Sequence, residues 1–243
     1  MATKLSKSAR LESILEEQVL RWQKQSDRRK TKATPKKPVI TVSRQPGIPM
    51  EKLMERLAAE LELDVFDNEI IHAVAKSVKM SEKVVATLDE KTRGVLDNWI
   101  QVLKSTRYLL PDTYITHLTK VIGAIAEQGG AIIMGRGANL ILPPEKTTRI
   151  RFVAPMGVRM VHLSKDVEIS SIDAAQRMIA KKEAEQQAYI RKYFEVDIDD
   201  PVHYDLIINT HFMADEKIIE MIKAGVKTVE PPRRRRSDRK PGE

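Results

Sequence analysis

Residues 39–52 read Val39-Ile-Thr-Val-Ser-Arg-Gln-Pro-Gly-Ile-Pro-Met-Glu-Lys52, a β-rich run followed by a tight turn and basic residues on both sides of it. Leu53, Leu57 and Leu61 then recur at helical spacing, so strand, turn and helix start follow in order. That layout suits phosphate chemistry. In the phosphate-binding turn G-x-x-x-x-G-K-[ST], glycines let successive backbone N–H groups converge on the phosphates and a lysine neutralises them. Here the turn is Gly47-Ile-Pro-Met-Glu-Lys52. Pro49 has no N–H, Met50 resists the positive φ that glycine accepts, and Glu51 places a carboxylate where an anion would approach the helix dipole. The frame is kept and the cradle is damaged. The plainer alternative is an ordinary β-turn-α unit with Glu51 as a favourable first-turn acid.

The elements that would hold such a turn can be bounded from composition. At 243 residues, 42% apolar and without cysteine, the chain is long enough to bury a substantial core and needs neither disulfides nor a thiolate metal site. No apolar run approaches the length of a membrane span and the N-terminus has no apolar signal core, so a cytoplasmic protein is expected. The formal charge of +8 is a property of the ends. Residues 1–37 carry 11 Lys/Arg against 4 Asp/Glu and residues 231–243 carry 6 against 2, which leaves the stretch 38–230 slightly acidic. Basic tails of this kind speed encounters with polyanions, and RNA, a ribosome or a protein partner are candidates for them.

The expected organisation is a basic N-terminal helix and linker (1–37), one α/β domain (38–230) and a basic disordered tail (231–243). Leu11, Ile14, Leu15, Val19 and Trp22 form an apolar stripe at helical spacing, and the Lys/Arg/Thr/Pro stretch Asp27–Pro38 reads as a linker. After the first β-turn-α unit come the apolar pair Val65-Phe66, a helix over 69–78, and a helical region over 81–128 broken near Pro111, with Asp112 or Thr113 as its next cap. This makes a long helical insertion between the first and second core strands. Ala131–Met134, Arg149–Val153 and Leu206–Ile208 are further strands, Ser171–Phe194 is a long charged helix, and Glu216–Lys223 is the last helix. Strands separated by helices, without hairpin turns, predict a three-layer α/β/α fold with a parallel sheet. Ligands bind such sheets at the carboxyl ends of the strands, which is where the 43–52 turn, Gly135-Arg-Gly137 and Ala154-Pro155 fall. His72, His117, His162, His203 and His211 are scattered without ligand spacing, so no zinc site is expected, and Trp22 and Trp99 read as packing residues.

Several short motifs in this order resemble the cytidylate kinase-like branch of the P-loop nucleoside monophosphate kinases. They are Ile40-Thr-Val-Ser-Arg-Gln45, Phe66-Asp67 with Glu69-Ile-Ile71, Met134-Gly-Arg-Gly-Ala138, Ala154 with Arg159, Tyr189-Ile-Arg191, and Tyr204-Asp-Leu-Ile-Ile-Asn-Thr210. The resemblance spans about residues 38–224 and implies a five-stranded parallel core, an acceptor-nucleotide insertion at about 68–128 and a mobile lid at about 171–194. It implies donor contacts at Ser43, Arg44, Gly47 and Lys52, with ATP and Mg2+ as cofactors if the protein is active. It further implies acceptor contacts, CMP-like, at Asp67, Gly135, Arg136 and Arg159, and catalytic charge from Lys52 and Arg191. Two of these have plain alternatives: Asp67 as a helix cap and Arg136 as a surface arginine at a strand end.

The chain departs from the family pattern where charge is needed. Family members often read Gly-Ser-Gly-Gly-Arg where this chain has Gly47-Ile-Pro-Met-Glu51, and Lys52 lies one residue beyond the basic position, facing another direction on a helix. Cytidylate kinases follow Gly-Arg with Asp, and here the residue is Gly137. The lid arginine three residues before the matched tyrosine is Gln186, leaving Arg191 and Lys192 as substitutes. An arginine supplied to a transferred phosphoryl group is worth roughly 10³–10⁵ in rate, so phosphoryl transfer to a CMP-like acceptor is expected to be weak or lost. The alternative is a non-catalytic binding or regulatory protein that uses the scaffold and its basic tails. An active enzyme would need Arg44, Lys52, Arg136 and Arg191 to converge on one phosphate pair.

Overall fold

The run Val39–Val42 becomes the middle strand of a five-stranded parallel sheet. The computed structural model describes residues 37–106, 112–166 and 171–227, together with Glu17 and Leu20. The N-terminal stripe, Trp22, nearly all of the linker and the arginine-rich tail lie outside the described residues. The strands are β1 (Val39–Arg44), β2 (Asp64–Phe66), β3 (Ala131–Met134), β4 (Thr148–Val153) and β5 (Leu206–Asn209), in the spatial order β2-β3-β1-β4-β5. Val42 pairs with Met134 on one side and Ile150 on the other, so the ends of β1, β3 and β4 come out along one edge of the sheet. Both faces of β1 are buried, which is why its apolar residues Val39, Ile40 and Val42 fall on both faces rather than on one.

The helices are α1 (Glu51–Leu61), α2 (Asn68–Lys76), α3 (Val78–Ala86), α4 (Glu90–Thr106), α5 (Thr113–Gln128), α6 (Ala138–Ile141), α7 (Met156–Asp166), α8 (Ile172–Phe194) and α9 (Asp215–Gly225), with a 3-10 turn at Pro201–His203. Alternate residues of β1 feed two cores. Ile40 and Val42 pack with Leu53, Met54 and Leu57 of α1 and Ile218 and Ile222 of α9, while Val39 packs on the other face with residues of α2, α3, α5 and α8. Helices therefore cover both faces, as the three-layer expectation requires. Truncating fully buried side chains such as Leu57 or Leu118 would cost about 2–5 kcal/mol each, so both layers are held firmly.

Two sequence expectations are corrected. Val65-Phe66 belongs to an edge strand, β2, paired with β3, so the helical insertion follows the second strand of the chain, not the first. A run of three residues is too short for periodicity to reveal, and only its pairing with Ile132 and Ile133 makes it a strand. The helix expected over 69–78 ends at Lys76, because Ser77 turns extended and its Oγ accepts the Met80 N–H to start α3. Asp112, rather than Thr113, caps α5, accepting the Tyr114 N–H at 2.8 Å. At the opposite edge of the sheet Asp205 bonds Arg149 and Lys227 and ties β5 to β4 and to the end of the described chain. Among the described residues no helix is long and apolar enough to cross a membrane.

Candidate functional site

Two constructions stand at the carboxyl edge of the sheet, one after β1 and one after β3. The first is the turn from Arg44 to α1. Gly47 has φ +89°, and a Cβ there would lie 2.8 Å from the carbonyl oxygen of Arg159, so the position accepts only glycine. Ile48 and Met50 turn inward and are buried, which spends two loop positions on the core beneath α1. Arg44 does not reach outward: its guanidinium donates to the Ile48 carbonyl at 2.5 Å and pairs with Glu51 at 3.3 Å. The other Glu51 oxygen accepts the Met50 N–H at 3.0 Å. Partial burial pushes the Glu51 carboxyl up, yet the N–H groups of Glu51 and Met50 and the Arg44 guanidinium outweigh it and hold it below the ordinary carboxylate value. A carboxylate of the chain itself thus occupies the start of α1.

The neighbouring residues are engaged in the same inward direction. Ser43 Oγ accepts from Arg151 at 2.8 Å, and Arg151, buried on β4, also pairs with Asp199 at 2.5 Å. Arg159 is buried on α7. Its guanidinium donates to the Ala154 carbonyl at 3.0 Å, to the Pro46 carbonyl at 3.3 Å and to Glu183 of α8 at 2.6 Å, clamping the loop to the sheet and to α8. Lys52 is exposed in the first turn of α1, and Arg191 is exposed near the end of α8. With Pro49 lacking an N–H, the Met50 N–H taken, and Arg44 and Ser43 bonded internally, this loop does not fit the phosphates of ATP with Mg2+.

The second construction is a cleft of about 450 Å³ between the helical insertion and α8. It is lined by His72 and Lys76 of α2, Tyr114 and His117 of α5, Arg136 from the turn after β3, and Tyr189 and Tyr193 of α8. The Arg136 guanidinium donates to Asn68 Oδ1 at 3.0 Å and lies 5.9 Å from the centre of the Tyr189 ring. His72 Nδ1 is 2.8 Å from the Tyr114 hydroxyl, and the two rings meet edge to face. His117 Nδ1 is 2.8 Å from Ser81 Oγ, and the Tyr193 hydroxyl donates to Asp112 at 3.1 Å. Burial, then the charges of Arg136 and Lys76, push the His72 pKa below its ordinary value, and burial pushes the Tyr114 and Tyr189 phenols up. The cleft offers positive charge, imidazoles and aromatic faces, the chemistry that takes an anionic group attached to a ring.

Of the residues singled out from sequence, Arg136 lines this cleft, Gly135 precedes it in the same positive-φ turn, and Asp67 caps α2, its Oδ1 accepting the Ile70 N–H at 2.8 Å. Ser43, Arg44 and Gly47 cluster at the first loop, with Arg159 against Gly47. Sequence reasoning missed Lys76, Tyr114 and Tyr193 and gave His72 and His117 no role. His72 and Tyr114 are 42 residues apart and meet only through the packing of α2 on α5, so no local pattern announces them. The glycine at 137, where the resemblance led to an Asp, leaves no room for a side chain: a Cβ there would lie 2.5 Å from Cε2 of Phe194.

Residues 39–211 match the Cytidylate kinase-like family. The cytidylate kinase of Ignicoccus hospitalis is 23% identical over 185 residues, 76% of this chain and 96% of that enzyme. The cytidylate kinase of Methanocaldococcus jannaschii is 31% identical over 107 residues, 42% of this chain, and the chain spans 58% of that enzyme's length. A crystal structure of an uncharacterized protein from Eubacterium ventriosum superposes with a TM-score of 0.60 at 18% identity, covering 78% of this chain and 97% of that one, a likeness of fold. Because the family match runs from the first residue of β1 through the end of β5, this chain belongs to the cytidylate kinase-like family.

Proposed function

We propose that this chain is a nucleotide-binding member of its family that takes a CMP-like nucleoside monophosphate in the Arg136 cleft, with phosphoryl transfer from ATP weak or lost. The observation that carries the reading is the Glu51 carboxylate at the start of α1, bonded to the Met50 N–H and paired with Arg44. A donor phosphate arriving there meets a negative charge already in place, and the arginine that would attract it is neutralised. Phosphoryl transfer depends on positioning and on positive charge around the transferred group, so this loss falls on rate directly. Lys52 and Arg191, the remaining candidates for that charge, are both exposed. The cleft retains what an acceptor monophosphate needs: a guanidinium for the phosphate and aromatic faces for a base.

The test is calorimetric titration of the full chain with CMP and with ATP, each with Mg2+, alongside a coupled turnover assay against an active cytidylate kinase. The expected result is CMP binding, weak or absent ATP binding, and turnover at least about 10³-fold below the comparison enzyme. Turnover within the ordinary range of kinases would overturn the catalytic part of the reading, and absence of CMP binding would overturn the rest.

A further inference from the structure

After β3 three consecutive residues hold left-handed backbone: Gly135 at φ +74°, Arg136 at +55° and Gly137 at +71°. Glycine adopts this region freely, whereas arginine does so only where its surroundings over-determine it. Those surroundings come largely from α8. The Tyr189 hydroxyl donates to the Arg136 carbonyl at 3.4 Å while its ring lies under the Arg136 guanidinium. Phe194 fills the space a side chain at 137 would need, and its ring meets Tyr189 edge-on with centres 6.4 Å apart. From the sheet side the Gly135 N–H donates to the Val42 carbonyl at 2.8 Å, and from α2 Asn68 takes the guanidinium.

The helix that supplies these contacts is itself fastened along its length. Ala175 and Ile179 are fully buried and Ile190, Tyr193 and Phe194 nearly so. Glu183 pairs with the buried Arg159, and Tyr193 bonds Asp112 at the start of α5. Moving α8 away as a hinged lid would break all of these together.

We propose that Tyr189 is a positioning residue for the monophosphate site: with hydroxyl and ring it holds Arg136 in its left-handed conformation, so that the guanidinium is presented to the cleft before a ligand arrives. This rests on the reading of the cleft as the acceptor-like site. Its consequence is that α8 serves as a fixed wall of that site, and the affinity is set by preorganisation.

The experiment titrates CMP and, separately, inorganic phosphate into the full chain carrying no change, Tyr189→Phe, Arg136→Ala, or both. Tyr189→Phe is expected to weaken CMP and phosphate by the same factor, about fivefold, the worth of one neutral hydrogen bond. In the Arg136→Ala background it is expected to have no further effect, because the residue it positions is gone. Equal affinity of Tyr189→Phe and the unchanged chain, or losses that multiply in the double variant, would overturn the positioning role. Failure of the unchanged chain to bind CMP or phosphate would instead overturn the cleft reading and the positioning role with it. Hydrogen exchange of the unchanged protein needs no variant: protection over residues 183–194 is expected to be the same with and without saturating CMP. Strong new protection on adding CMP would mean a helix that closes on the ligand, and would overturn the fixed wall.

Discussion

The loop after β1 and the turn after β3 are built from the same parts, a strand end, a glycine with positive φ and an arginine, yet they arrive at opposite electrostatic outcomes. At the first, Arg44 is neutralised by Glu51, seven residues further along the chain, and by the Ile48 carbonyl. At the second, Arg136 is held by the neutral Asn68 side chain and the face of Tyr189, and among the described residues no carboxylate pairs with it. Orientation is provided in both places. What separates them is whether the chain supplies the anion itself. A strand-end arginine keeps its charge available when its positioning contacts are neutral, and has it neutralised within the fold when a carboxylate supplies them.

The sharpest way to break this contrast is to restore the family's residue in the turn after β3. Gly137→Asp puts a side chain on left-handed backbone and drives its Cβ into Phe194. Overpacking and backbone strain together are expected to cost about 3–5 kcal/mol, read as a fall in the thermal midpoint with loss of CMP binding. A Gly137→Asp protein that melts normally and binds CMP more tightly would mean that the cleft is plastic and that the missing carboxylate, not the loop, limits the protein.

A smaller effect is expected from neutralising the loop. Glu51→Gln keeps an oxygen for the Met50 N–H and removes the negative charge, so ATP affinity is expected to rise about fivefold to tenfold while CMP affinity stays the same. The Arg44–Glu51 pair is largely exposed, with Glu51 at 68%, so the cost in stability should stay below about 1 kcal/mol. No gain in ATP affinity would show that the Glu51 carboxylate does not limit ATP binding at this loop.

The smallest effect concerns protons. Burial and the charges of Arg136 and Lys76 hold the His72 pKa below its ordinary value; the other groups around the cleft are Tyr114, His117, Tyr189 and Tyr193, with one carboxylate, Asp112, bonded to the Tyr193 hydroxyl. A dianionic phosphate at Arg136 reverses that field and raises the His72 pKa. The bound state then holds more protons than the free state, so CMP affinity should increase as pH falls from about 8 towards 6.5, by about twofold to threefold. Calorimetry in two buffers of different ionisation heat reads the uptake directly. No uptake at either pH would remove His72 from the electrostatics of the site.

Much of the scaffold was legible because local patterns carry it. The β-rich run of β1, the 3.6-residue spacing of Leu53 and Leu57, and the polar cap Asp112 are short-range consequences of residue type. Strand β2 was missed because three residues do not make a period. In the site, Arg136, Gly135 and Asp67 stood out through flanking glycines and a strand end, whereas Lys76, Tyr114 and Tyr193 had no local signature. The same holds for Arg151, whose buried guanidinium reads from sequence as one more charged residue on a strand.

By itself the sequence determined the α/β frame, the location of the two strand-end turns and the presence of a carboxylate, Glu51, in the first turn of α1, because each follows from residue type and spacing within one element. The tertiary structure alone decided where Glu51 and Arg44 point, that Gly137 is demanded by Phe194 of a distant helix, and that α2, α5 and α8 close a cationic, aromatic cleft around Arg136. Those facts depend on contacts between elements tens of residues apart, and such contacts exist only once the two cores have packed on the sheet.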